Sequence, residues 1–75
     1  MIKIEFSNCP KLGPGGRGAL GRRGERVEFF SFSWDDSLES RRGTISGHST
    51  KGRVLVDLDR EPYRARVPLA CCAAI

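Results

Sequence analysis

The stretch from Arg41 to Leu69 constrains this chain most, because three alternating runs within it satisfy one another in a single register. The runs are Arg41-Arg42-Gly43-Thr44-Ile45-Ser46-Gly47-His48, Arg53-Val54-Leu55-Val56-Asp57-Leu58 and Tyr63-Arg64-Ala65-Arg66-Val67-Pro68-Leu69. Period-two alternation of apolar and polar residues marks half-buried strands. A hairpin turning at Arg60-Glu61 sets Leu58 against Tyr63, Val56 against Ala65 and Val54 against Val67 on one face, and Asp57 against Arg64 on the other. A slip by one residue would oppose apolar to charged side chains at every step, so this register is expected. Pro62 has no N–H for a ladder, so Asp59-Arg60-Glu61-Pro62 reads as a four-residue connection. The preceding hairpin turns at Ser49-Thr50-Lys51-Gly52, where Gly52 supplies a positive φ. Pairing His48 with Arg53 then places Ile45 opposite Val56 and Arg42 opposite Asp59. The two hairpins agree on which face is apolar, and the whole reads as a three-strand antiparallel meander.

Two further strands precede the meander. Ile2, Ile4 and Phe6 alternate with Lys3 and Glu5, which makes a first strand at or near a sheet edge. Arg26 to Trp34 holds four of the six aromatic residues, Phe29, Phe30, Phe32 and Trp34. Phe30, Phe32 and Trp34 share one parity, and Val27 and Phe29 the other. The reading is a core stripe at Phe30 and Phe32, a bulge near Phe29-Phe30, and Trp34 as the most exposed member. Asp36-Ser37-Leu38-Glu39 has the form of a capping box, which allows one helical turn before the meander.

Between these strands, Ser7 to Glu25 holds Pro10, Pro14 and six glycines, so it is neither helix nor interior strand. At 19 residues it exceeds the usual length of a connection. The 75 residues are therefore read as one domain, 1–75, with a flexible basic loop at 7–25. A domain this small is marginal alone, and homo-oligomerisation is a common remedy.

The charge sits in that loop. Thirteen Lys and Arg face nine Asp and Glu, a net charge of +4. Lys11, Arg17, Arg22, Arg23 and Arg26, offset only by Glu25, account for the entire excess. Guanidinium forks bind phosphate, and glycines let backbone approach an anion. These five residues, with Trp34 as a stacking surface, are the expected nucleic-acid or polyanion contacts.

Other motifs carry less. Gly16-Arg17-Gly18-Ala19-Leu20-Gly21 matches G-x-G-x-x-G, but no amphipathic helix follows and the chain is too short for a dinucleotide fold. His48 and the three cysteines, Cys9, Cys71 and Cys72, show no C-x-x-C spacing, so no metal site is expected. No base and orienting group accompany a nucleophile, so neither catalytic residues nor a cofactor are expected. Cys72-Ala73-Ala74-Ile75 has the C-a-a-X form, yet it follows a strand end; the expected role is a tail packed on protein. Neither a signal-like segment nor an apolar run of spanning length is present, so the expectation is a soluble, reduced, cytoplasmic protein with no membrane partner.

The layout of five strands, with long, medium, tight and short connections in order, resembles the SH3-like small barrels. The resemblance implies an all-β, five-stranded barrel with a long first loop, with an OB-like barrel as the alternative. The acidic first loop and paired tryptophans of the peptide-binding SH3 family are absent. Gly43-Thr44-Ile45-Ser46-Gly47 through Leu69 is similar to the type II dihydrofolate reductases, tetramers of such barrels. Their Val-Gln-Ile-Tyr active-site stretch is replaced here by Arg64-Ala65-Arg66-Val67. The same stretch is similar to small barrels found with bacterial secretion and phage-tail systems. That similarity implies an adaptor, inhibitor or assembly component as the alternative to nucleic-acid binding.

Overall fold

Alternation becomes pleat throughout the computed structural model, which describes residues 2–6, 9 and 17–75. Six strands form among the described residues: β1 (Ile2–Glu5), β2 (Arg26–Phe32), β3 (Leu38–His48), β4 (Arg53–Leu58), β5 (Tyr63–Pro68) and β6 (Ala73–Ala74). A single 3₁₀ turn, Leu69–Cys71, separates the last two. The strands make one mixed sheet in the order β1-β5-β4-β3-β2-β6, parallel between β1 and β5 and antiparallel elsewhere.

The meander adopts the expected register between β4 and β5. Val54 faces Val67, Val56 faces Ala65, and Asp57 faces Arg64. The Arg64 Nε donates to the Asp57 carboxylate at 2.9 Å. Ile45 faces Val56 as expected, but His48 faces Val54 rather than Arg53. A bulge between Ile45 and Gly47 inserts one residue and shifts the register by one at the turn end.

β2 departs further from expectation. Its buried residues are Val27, Phe29 and Ser31, whereas Phe30 and Phe32 are exposed. The β2–β3 ladder runs without interruption from Arg26↔Thr44 to Phe32↔Leu38, so no bulge changes the face at Phe29-Phe30. β3 decides the face: Gly43 and Ile45 point inward, and β2 must follow its partner's parity. Nor does the segment before β3 form a helical turn. Asp35 accepts from the Ser37 hydroxyl and amide, Ser33 N–H donates to the Ser37 carbonyl, and Asp36 takes a φ of 64°, which closes a hairpin instead.

The tail supplies the sixth strand in place of the expected five. β6 pairs with Val27 and Glu28, and the tail buries Cys71 and Cys72. Val27, Phe29, Ile45, Val54, Val56, Ala65, Val67 and these two cysteines make one core, with Phe6, Cys9, Ala19, Leu58 and Leu69 packed around it. The sheet curls strongly. Four strand spacings separate β1 from β2, roughly 19 Å if flat. Yet the Phe6 and Phe29 rings meet edge to face with centroids 5.3 Å apart. No pairing joins β1 to β6 among the described residues, so the sheet is not closed into a barrel.

Candidate polyanion-binding surface

Most of the arginines are matched to a neighbouring carboxylate. Arg26 forks onto Asp59, Arg42 bonds Glu28, Arg64 bonds Asp57, and Arg53 and Arg66 share Glu5. Arg41 lies over the Phe6 ring, donates from Nε to the Ser31 hydroxyl at 2.8 Å, and pairs with Glu61 and Glu39. These contacts hold Glu5, Glu28 and Asp59 below the usual carboxylate range, chiefly through hydrogen bonds from Arg66, Arg42 and Arg26 respectively.

Among the described residues, Arg17, Arg22, Arg23 and Arg60 make no ion pair. All four are exposed. Three of them belong to the Gly-rich segment, whose last part is firmly placed. The Glu25 carboxylate accepts from Leu20 N–H at 3.1 Å and from Gly21 N–H at 2.8 Å, which lowers its pKa. Glu25 N–H donates to the Arg22 carbonyl, and Gly24 and Glu25 clip onto Ile45 of β3. Gly21 and Gly24 both take φ of 86°, a conformation that favours glycine and that turns the chain sharply around Arg22-Arg23. Arg17 is held from the other side, where Ala74 N–H donates to its carbonyl. Glu25 is thus spent on backbone amides and leaves the neighbouring guanidiniums to solvent.

Arg60 stands apart from this segment, on a cleft of about 490 Å³ that it lines with Arg26, Arg41, Arg42, Asp59 and Glu61. Arg26, Arg41 and Arg42 are matched there by Asp59, Glu61, Glu39 and Glu28, so Arg60 is the lining arginine that has no ion pair.

The structure brings the expected contact residues together only in part. Arg17, Arg22 and Arg23 lie at or before the start of β2. Arg26 belongs to β2 itself and is engaged with Asp59. Trp34 is 95% exposed, but it lies past the far end of β2, about 25 Å along the strand from Arg26. Its neighbours there are Asp35 and Asp36, not arginines. Lys11 lies outside the described residues. Arg60 was not anticipated; its one sequence signal was a place in a polar connection with no apolar pattern to hold it.

The described residues contain no group of three or more His, Cys, Asp or Glu arranged to hold a metal. No helix among them is long and apolar enough to cross a membrane. No protein-family model, curated protein or solved structure matches this chain.

Proposed function

We propose that this chain is a small, non-enzymatic binding module that contacts nucleic acid or another polyanion through Arg17, Arg22 and Arg23, with Arg60 as a further contact. One observation carries this reading: six arginines are matched to carboxylates on the sheet, while these four face solvent unmatched. Unmatched guanidiniums on a glycine-rich turn repel one another, and an extended anion removes that repulsion. The SH3-like reading of the architecture belongs to the same proposal. It draws on the β3–β4–β5 meander, the long first connection and the curl that sets Phe6 on Phe29. A cytoplasmic setting fits a chain whose cysteines form no disulfide.

Engaging three or four phosphates gives a log–log salt slope of about −3 to −4 on duplex DNA. Titration of a labelled duplex at three salt concentrations should show weak, sequence-tolerant binding with that slope. The double variant Arg22→Ala/Arg23→Ala should flatten the slope by up to about 2 and leave the circular dichroism unchanged. Absence of binding at low salt, or an unchanged slope in the variant, would remove the reading.

A second reading, an assembly component, rests on a different observation. β2 turns Phe30 and Phe32 to solvent beside Trp34 and Leu38.

A further inference from the structure

We propose that β2 pairs, antiparallel and edge to edge, with β2 of a second copy of this chain, about a two-fold axis at Ser31. The backbone phase of β2 supports this first. Ile45 N–H donates to the Glu25 carbonyl and Ser33 N–H donates to the Ser37 carbonyl, so odd-numbered residues turn their backbone groups to β3. Ile75 N–H donates to the Arg26 carbonyl, so even-numbered residues turn theirs to the opposite edge. β6 occupies that edge only at Val27 and Glu28. The N–H and C=O groups of Phe30 and Phe32 therefore point out of the sheet with no strand beside them among the described residues. Phe29-Phe30-Ser31-Phe32 carries none of the lysines, prolines or bulges that commonly blunt an edge.

The side chains at this edge add area. Phe30, Phe32 and Trp34 are 37%, 53% and 95% exposed, and Leu38 of β3 extends the apolar face behind Phe32, on the side away from this edge. Phe30, Phe32 and Trp34 together expose on the order of 400 Å². That is the size of the largest apolar patch on an ordinary monomer, which is often a contact site. Doubled across a two-fold, it gives about 800 Å² at most, the size of a weak, concentration-dependent contact.

Register and direction follow from the same residues. Only residues with outward backbone groups can exchange ladder bonds, and facing Phe30 with Phe32 of the second copy is the two-fold register that needs neither Glu28, whose edge β6 occupies, nor Trp34, which lies past the strand. This pairing places Ser31 on the axis and sets four phenylalanine rings side by side on the outer face. A parallel pairing would align the two hairpin tips and put Asp35, Asp36 and Glu39 against their own copies. Charge therefore selects the antiparallel dimer.

Equilibrium sedimentation between about 1 µM and 1 mM should show the mass rise from 8.3 kDa toward twice that value. Amide exchange over the same range should show Phe30 and Phe32 becoming protected with concentration, while Ser31, already bonded to β3, does not change. Phe32→Lys puts a charge among the four rings, and Phe32→Pro removes an outward donor without touching β3. Each should weaken association at least tenfold with an unchanged circular dichroism spectrum. Arg22→Ala/Arg23→Ala should dimerise like the parent. A mass that stays at 8.3 kDa to 1 mM overturns the proposal. So does a dimer that forms without protecting Phe30 and Phe32, or one that both Phe32 variants leave intact. If a variant fails to fold, the concentration dependence of Phe30 and Phe32 exchange in the parent decides alone.

Discussion

Gly43 shows how one residue sets the distance between strands. It lies buried in β3 opposite Leu58. A methyl group there would sit 2.6 Å from Val56 Cγ1 and closer still to the Asp57 carbonyl oxygen. The second neighbour is backbone in the middle of a ladder and cannot swing away. Glycine is needed here because of close approach, not because of its φ. Gly43→Ala should therefore destabilise the fold by about 1–3 kcal/mol, the usual range for forcing extra volume into a packed site. Gly18→Ala is the matched control, because its added methyl would meet nothing within 4 Å. Urea midpoints should fall for the first and hold for the second. Equal midpoints would mean that β3 and β4 can separate at little cost.

At the scale of elements, the tail is the clearest test. The 3₁₀ turn and β6 fold the last residues back so that Cys72 is fully buried and Ala73–Ala74 pair with β2. Cys72 N–H donates to the Leu69 carbonyl, and Ala19 N–H donates to the Cys72 carbonyl. Deleting Cys72–Ile75 exposes part of Val27 and Phe29 and strips the anchor from Ala19. A drop in thermal midpoint of several degrees is expected, on the order of 4–8 °C for each kcal/mol lost in a domain of this size. An unchanged midpoint would show that the tail is dispensable. The sequence allowed this packing to be anticipated, because a run of small apolar residues after a strand has few other uses. The β4–β5 register was legible for a similar reason: Val54, Val56, Ala65 and Val67 leave no other apolar match. The face of β2 was not. Phe29 and Phe30 are adjacent, so both parities carry aromatics, and the greater aromatic count pointed outward. Only pairing with Gly43 and Ile45 resolves it. The bulge after Ile45 left no mark because Ser46 and Gly47 suit either register. For the site, the basic segment was plain in the charge count. That Asp59 claims Arg26, that Glu25 is taken up by two backbone amides, and that Arg60 is unmatched all depend on contacts remote in sequence.

Taken whole, the molecule holds its ionisable groups in two populations that bound its stability from opposite sides of neutral pH. Glu5, Glu28 and Asp59 are held below their ordinary pKa by arginine hydrogen bonds, Glu25 by the Leu20 and Gly21 amides, and Asp35 by the Ser37 hydroxyl and amide. A carboxylate with a depressed folded pKa contributes stability above its unfolded pKa of about 4, and that contribution is lost as pH falls through the folded value. These groups are exposed or half-buried, so the acid limb should be shallow and should weaken further in salt. The thiols act in the other direction. Burial, the leading cause in both, pushes Cys9 up to about 11 and Cys72 up to about 12. An unfolded thiol ionises near about 8.5, so above that pH the unfolded chain has released protons that the folded one keeps. Stability must then fall with rising pH until the folded thiols titrate. Thermal midpoints recorded from pH 2 to 11 should form a plateau between about 5 and 8 with a decline on each side. Cys72→Ala should lower the plateau through lost packing. It should also make the decline above pH 8.5 shallower while leaving the slope of the acid limb as it was. Other groups that titrate at high pH are common to both proteins and cancel in the comparison of slopes. A midpoint in the parent that stays level to pH 10.5, or an alkaline limb equally steep in Cys72→Ala, would show that the Cys72 thiol does not govern this limb.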